Sequence, residues 1–455
     1  MECRMQRFFI SREFYVHKGL SKVFRTTAYL QIVLSCKFII GSNARLSKKQ
    51  ATVPVQPVIT KSAKRRQVCQ LILDQFEQQY TKELGPLWLS ARAVLLNPQC
   101  WQYGVMLNRF TSVADITRIL KLQGFTSILP SSVIYTPDPV DTHTPQPDTH
   151  PSSILSTNQS LPSQNSPVPI PKHNSEPSSH HQPPPMPCAD PGPQPSPSPH
   201  PPPVPSLQCL IHTSPVRFPS QSHRPGQLKQ YYLLNAASLL PVLALGVRDG
   251  DRVLDLCSAP GGKALAILQT ANPALLCCNE VDPNRRDWLL KTLESFLPHS
   301  LSNTVTVCNL DGRTFGESQP GMYDKVLVDS PCSNDRSWLF STLSQQGASR
   351  LRERRNLPSL QKALLRSALQ AVRPGGVVVY STCTLSRAEN QEVVEAVLSS
   401  VPGAETDDLE EELVLPLSDH FTFAPPVHAP SGILVVPHPG KTWGPMFVSR
   451  IKRTH

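Results

Sequence analysis

The sequence predicts an α/β fold, a doubly wound parallel sheet preceded by a small, mainly helical domain. Three observations predict it. From residue 207 onward short strand-like runs alternate with helical ones; one of the first strands ends in a Pro-Gly-Gly turn that opens a helix; and residues 67–130 place apolar side chains at helical spacing. Alternating strands and helices imply parallel pairing with right-handed crossovers, and such sheets bind ligands outside the carboxyl ends of their strands.

Residues 1–50 carry Arg4, Arg7, Arg12, Lys18, Lys22, Arg25, Lys37, Arg45, Lys48 and Lys49 among Phe8, Phe9, Phe14, Tyr15 and Phe24, with only Glu2 and Glu13 acidic. An amphipathic, Arg-rich, acid-poor start is the makeup of a mitochondrial transit peptide, with a basic tail as the plainer alternative. In residues 67–130, Leu71, Ile72, Leu73, Phe76 and Tyr80 recur at helical spacing, and Trp101, Val105, Met106 and Leu107 form a second apolar group. Residues 136–206 differ: Pro137 to Pro205 holds 23 of the 48 prolines, with Ser, His, Gln and Asn between them. Such a segment cannot bury a core and is expected to be a disordered or polyproline-like insertion.

In residues 207–455 the strand-like runs are Arg252–Cys257, Ala274–Asn279, Thr304–Cys308, Lys325–Asp329 and Gly376–Ser381, with a closing pair at Ile433–Val436 and Met446–Ile451. Helices are expected at Gln227–Leu245, Gly262–Thr270, Pro283–Phe296, Leu357–Val372 and Arg387–Ser399.

The formal charge of +10 invites a nucleic-acid reading, but its distribution weakens that inference. Residues 1–66 hold 14 basic and 2 acidic side chains, 67–206 hold 6 and 9, and 207–455 hold 24 and 23. Any RNA surface is therefore local. The 12 cysteines include no CxxC pair and no zinc-type Cys/His spacing, so a reducing compartment and no metal are expected. The longest apolar stretch, Ala28 to Ile40, falls short of the roughly 18–20 residues of a membrane helix and is broken by Gln31, Ser35 and Lys37. No membrane association is expected.

The chemistry sits at strand ends. Asp255-Leu-Cys257-Ser258-Ala259-Pro260-Gly261-Gly262-Lys263 follows a strand and opens a helix; Pro260 fixes the turn, and the glycines let backbone approach a ligand. The spacing is neither G-x-G-x-x-G nor a P-loop, so nothing demands a pyrophosphate. Glu280, after the second strand, could accept both hydroxyls of a ribose, and Asp311, after the third, an adenine amino group. Each acid alone reads as an ordinary surface or capping residue; together, in this order, they favour an adenosine-containing cofactor. Two further runs, Val326-Leu-Val-Asp329-Ser-Pro-Cys332 and Val377-Val-Val-Tyr-Ser-Thr-Cys383, end in thiols. A single cysteine is ordinarily a small buried apolar residue; two that follow strands, one beside Asp329, weaken that reading.

The turn at 255–263, Asp329-Ser-Pro-Cys332, Tyr380-Ser-Thr-Cys383 and Glu389-Asn390 together resemble the Sun-family RNA cytosine-5 methyltransferases over roughly residues 226–451. The resemblance implies a Rossmann-like methyltransferase sheet in residues 207–455, an RNA-binding role for residues 67–130, and S-adenosyl-L-methionine as cofactor. It further implies that Cys257, Ser258, Ala259, Pro260, Gly261, Gly262, Lys263, Glu280, Asp311 and Asp329 contact that cofactor. Within the family, Tyr231–Ser238, Cys332–Phe340, Phe421–Pro425 and Leu71–Phe110 resemble a mitochondrial member that methylates the wobble cytosine of methionine tRNA. RNA, as mitochondrial tRNA, is thus the implied partner and the mitochondrial matrix the implied location. A mitochondrial ribosomal RNA methyltransferase is the alternative within the family.

Cytosine C5 is too weak a nucleophile to take a methyl group from a sulfonium until a nucleophile adds at C6, and a thiolate is suited to that addition. A partner at N3 assists, and a base must then remove the C5 proton. The resemblance gives Cys383 the attack, Asp329 the contact with N3 and Cys332 the release. The residues alone leave the order of the thiols open, since DNA cytosine methyltransferases attack with the Pro-Cys cysteine. Lys263 reads as a carboxylate partner, an RNA contact or a solvated charge; Arg350, Arg352, Arg354 and Arg355 read as phosphate ligands or a charged helix face. The acidic block Glu405–Glu412 is expected to face away from RNA. Two other classes compete: a non-catalytic RNA-binding assembly factor, and a thiol redox protein using Cys332 and Cys383.

Overall fold

The structure, a computed structural model, describes residues 67–129, 207–340 and 344–455. The expected transit peptide and the whole Pro-rich insertion lie outside the described residues.

The chain enters through two helices, Gln70–Leu84 and Pro86–Leu95. Gly85 breaks them apart at a φ of 54°, which its missing side chain permits, and Pro86 opens the second helix where a lost N–H costs nothing. A small antiparallel sheet follows, built from β1 (Gly104–Leu107), β2 (Thr126–Ser127), β3 (Cys209–Ile211) and β4 (Tyr231–Leu234) in the order β2-β3-β1-β4. It packs with the Ala114–Leu122 helix through Val105, Leu107, Leu120, Phe125 and Tyr231.

The main sheet comprises β5 (Arg252–Asp255), β6 (Leu275–Asn279), β7 (Val305–Cys308), β8 (Tyr323–Asp329), β9 (Val372–Thr382), β10 (Ala404–Asp407), β11 (Ile433–Val435) and β12 (Met446–Arg453). Its order is β10-β12-β9-β8-β5-β6-β7, with β11 paired to β12. Strands β5 to β9 pair in parallel, while β12 runs antiparallel to β9. The sheet is doubly wound, and its order reverses between β5 and β8, where a crevice opens at the carboxyl ends.

Both faces are covered, which explains why these strands read as continuous apolar runs. Side chains alternate across the sheet. Val253, Leu327, Val377 and Val379 join a core with the Gly262–Thr270 helix. Leu254, Val326, Val328, Val378 and Tyr380 join the opposite core, which includes Phe76, Tyr80 and Trp88 of the two N-terminal helices. The elements that follow the linker-rich region and those that precede it therefore share one hydrophobic core.

The helices Gly262–Thr270 and Pro283–Phe296 stand where the sequence places them. The segment 227–245 does not form one helix: it is β4, a 3-10 turn at Ala236–Leu239 and a short helix at Leu240–Leu245. Tyr231-Tyr-Leu-Leu pairs residue for residue with β1, and Asn235 caps the turn by accepting from the Ala237 amide at 3.1 Å. The helix expected to start at Leu357 begins at Ser344 and carries Pro358 inside it.

Candidate active site

The Pro-Gly-Gly turn leaves β5 at the switch point. Gly261 adopts a φ of 104° and a Cβ there would meet Leu289 Cδ1 at 2.9 Å, so glycine is required by conformation and by space. Beside the turn lies a cavity of about 230 Å³, lined by Asp255, Cys257, Ser258, Ala259, Pro260, Gly262, Lys263 and Asp329 on one side and by residues 232–235 and Ser238 on the other. Tyr232 closes over Gly262, whose Cβ position is 3.0 Å from the Tyr232 ring.

Asp255 is fully buried and, among the described residues, neither of its carboxylate oxygens nor the Ser258 hydroxyl has a hydrogen-bond partner at normal geometry. Burial pushes the Asp255 carboxyl up to about 7. Because the folded state holds this proton more tightly than the unfolded chain, stability is lost as pH rises from about 4 to about 7, by about 4 kcal/mol at most. Asp255→Asn removes that loss. Urea unfolding of the free protein should therefore show the variant gaining on wild type between pH 5 and pH 8; a difference flat across that range contradicts an unpaired buried carboxyl.

Lys263 is the charge that balances this end of the cavity. Its Nζ donates to Asp329 Oδ2 at 2.8 Å, and Ser381 Oγ donates to Asp329 Oδ1 at 2.9 Å. Burial pulls the Lys263 ammonium down, but the Asp329 carboxylate outweighs it and holds the group above its ordinary value. Of the readings open for Lys263, the carboxylate partner is the one observed.

Strands β8 and β9 are neighbours in register, with Asp329 opposite Ser381, so the residues just beyond them meet. Cys332 Sγ lies 3.1 Å from Cys383 Sγ and accepts from the Cys383 amide at 3.3 Å; both are free thiols, half-buried. The contact with Cys383, and then burial, hold Cys332 well above the usual thiol range. Near them Arg336 stacks over Trp101 at 4.6 Å and donates to the Thr442 and Gly444 carbonyls, while burial pushes its guanidinium down to about 10.

The other two predicted acids stand at strand ends but do not line the cavity. Glu280 is buried, accepts from the Asp282 amide at 3.1 Å and lies 3.2 Å from Arg285 Nη1. Asn279 beside it donates to the Leu256 and Leu310 carbonyls and so ties the ends of β5, β6 and β7 together. Asp311 caps a turn and is paired with Arg313, whose guanidinium holds its carboxyl below the usual range.

The basic cluster is not a phosphate site as a unit. Arg354 points inward, donating to Tyr80 Oη at 2.6 Å with its guanidinium 4.7 Å from the Phe76 ring, and Arg350 lies over Trp338 at 5.6 Å. Only Arg352 and Arg355 are exposed in that run. In the acidic block, Asp407 pairs with Arg450 and Lys452, and Glu412 with Arg450. Sequence reasoning missed Tyr232, Asn235 and Ser238 as lining residues because 227–245 read as a helix; the paired tyrosines ahead of Asn235 were the available strand signal.

A doubly wound sheet with a cavity at its switch point and paired strand-end thiols defines a methyltransferase fold. The crystal structure of PH0851 superposes with a TM-score of 0.51 at 15% identity, covering 84% of this chain and 67% of that one. The family model described as 16S rRNA methyltransferase RsmB/F matches residues 242–449. The chain is 50% identical over 394 residues to the mitochondrial tRNA (cytosine(34)-C(5))-methyltransferase of Danio rerio, across 87% of this chain and 90% of the relative. Its identity to the Mus musculus protein of the same name is 43%, across 85% and 92%. To the Mus musculus 5-cytosine rRNA methyltransferase NSUN4 it is 34%, across 90% and 93%. The chain belongs to the RNA cytosine-5 methyltransferase family.

Proposed function

We propose that this protein methylates C5 of the wobble cytosine of mitochondrial methionine tRNA through a covalent Cys383–C6 adduct, with S-adenosyl-L-methionine as methyl donor. The observation that carries the reading is the pair of thiols 3.1 Å apart beside Asp329 at the carboxyl ends of adjacent strands. The higher identity to the two tRNA enzymes than to NSUN4 favours tRNA over ribosomal RNA.

The residues fit the cofactor. Gly262 lines the cavity without a side chain to fill it, and the oxygens of Asp255 and Ser258, unpaired among the described residues, offer buried polar groups to the cofactor's polar end. Residues 257–263 and Asp329 would hold it, with Glu280 at the ribose and Asp311 at the adenine amino group. When bound, it supplies an electrophilic methyl group on a sulfonium.

The chain's own residues do the rest. The Cys383 thiolate forms the bond to C6, and the π electrons of C5=C6 move so that C5 becomes nucleophilic. To serve N3, Asp329 must carry a proton, which it donates to that nitrogen as the displaced charge is taken up there. Once C5 carries the methyl group, the C5 proton passes to a base, and Cys332 in its thiolate form takes that role. The electrons of that C–H bond restore C5=C6, and the C6–S bond breaks with its pair returning to Cys383. The base is best presented from a single-stranded loop, where splaying it out costs little stacking. The basic residues 1–50 are proposed to direct the protein to the mitochondrial matrix.

The test supplies purified protein with labelled S-adenosylmethionine and three RNAs: mitochondrial methionine tRNA, the same tRNA with uridine at the wobble position, and a mitochondrial ribosomal RNA fragment. Label is expected in the first alone. Equal label in the uridine variant, or label confined to ribosomal RNA, overturns the substrate assignment.

A further inference from the structure

The turns that carry the two thiols are held by a buried polar cluster that lies outside the cavity. We propose that Asp335 and Glu389 form a reciprocal clamp, in which the carboxylate that follows each cysteine in the chain positions the turn of the other. The clamp rests on the reading that both thiols act in methyl transfer, and it deepens that reading by naming what sets their separation.

Asp335 lies three residues past Cys332, yet both of its oxygens grip the Cys383 turn. Oδ1 accepts from Thr384 Oγ1 at 2.9 Å, and Oδ2 from the Leu385 amide at 2.7 Å. Glu389 lies six residues past Cys383 and grips the Cys332 turn, accepting from the Ser333 amide at 2.9 Å and from Ser333 Oγ at 2.6 Å. The two halves touch where Ser333 Oγ and Thr384 Oγ1 lie 3.0 Å apart. Gln361 Nε2 donates to the Pro331 carbonyl at 2.8 Å and to Glu389 at 3.2 Å, so the chain is fixed on both sides of Cys332. Ser333, Asp335, Gln361, Thr384 and Glu389 are all 0% exposed.

One guanidinium serves both carboxylates. Arg354 Nε is 3.5 Å from Glu389 Oε1, and Arg354 Nη2 donates to Tyr80 Oη at 2.6 Å. The Tyr80 hydroxyl in turn donates to Asp335 Oδ1 at 3.0 Å. Burial pushes the Asp335 carboxyl up to about 6, with Arg354 opposing it. Through Tyr80 the first helix of the chain becomes part of the support for the catalytic turns. Breaking such a buried, mutually satisfied set displaces the groups it holds rather than loosening a surface. Asp335 and Glu389 do not line the cavity, so they are positioning residues.

The test follows a single turnover of the full-length protein on tRNA with S-adenosylmethionine, separating covalent protein–RNA adduct from free methylated RNA on denaturing gels. In Glu389→Gln an amide N–H replaces an acceptor facing the Ser333 turn. Release should slow by about tenfold and adduct should accumulate, because a displacement on the order of 1 Å is enough for an effect of this size. In Asp335→Asn the Cys383 turn shifts, so adduct formation should slow by about tenfold with no accumulation. KM for tRNA should be unchanged in both.

A loss of folded protein alone would lower formation and release together. Equal reductions in the two variants, or a partition like wild type, overturns the clamp while leaving the adduct chemistry standing. Wild-type methylation with no thiol adduct overturns the underlying chemistry and the clamp with it. If either variant fails to fold, Ser333→Ala and Thr384→Val each remove one hydroxyl from one turn. They should show the same opposed pair, accumulation for Ser333→Ala and slow formation for Thr384→Val.

Discussion

Cys383→Ala should abolish methyl transfer, with turnover falling by on the order of 10⁴-fold or more, as expected when a covalent nucleophile is removed. Alanine is smaller than cysteine and sits at the end of β9, where Ser381 and Thr382 remain to hold Asp329 and Asn390. The fold and the cavity should therefore survive. Binding of S-adenosylmethionine, followed by calorimetry, should stay within a few-fold of wild type while the rate is lost. Retention of full transfer would show that C6 is attacked by another group, and Cys332 would be the first candidate.

Cys332→Ala has a different expected outcome. The attack on C6 remains possible, but the thiol 3.1 Å away that assists release is gone, so the protein should be caught on its RNA. Loss of an assisting acid or base lowers the rate by roughly 10²–10⁴-fold, and here that loss falls on the last step. Denaturing gels should show a slow-migrating protein–RNA band that depends on Cys383, and the double variant should lack it. A Cys332→Ala protein that turns over normally, or that loses activity without a covalent band, contradicts the assigned order of events.

Both outcomes depend on residues that stand out in the amino-acid sequence alone. The motifs at 255–263, 329–332 and 380–383 put the turn, Asp329 and both thiols at strand ends because each follows a buried apolar strand, whose end in a doubly wound sheet is fixed by topology. Parallel pairing of β8 with β9 then brings Asp329 opposite Ser381, and the thiols together, without further instruction. The wall formed by Tyr232, Asn235 and Ser238 was not legible in the same way. Tyr231-Tyr-Leu-Leu has no strict alternation, and its strand character comes from pairing with β1, more than a hundred residues earlier in the chain.

Buried charge was harder still. Arg354 reads as one of four basic residues in a charged helix, and Asp335 as one polar residue in Ser-Asn-Asp-Arg-Ser. Only the fold shows that Arg354 turns inward to Tyr80 while Arg352 and Arg355 face solvent. Lys263 was equally ambiguous as a lone lysine, and its partner, Asp329, lies sixty-six residues later at the end of β8. A sequence pattern records which face of an element is apolar; it does not record which polar side chain on another element completes a hydrogen bond.

The division of labour between the two thiols is read from where RNA becomes attached. A tRNA carrying 5-fluorocytosine at the wobble position has no C5 proton to lose, so the wild-type protein should form an adduct that cannot release. Nuclease and protease digestion followed by tandem mass spectrometry then reads the modified side chain. The nucleotide mass is expected on Cys383, with Cys332 unmodified; a nucleotide on Cys332, or an adduct on neither thiol, would contradict the account.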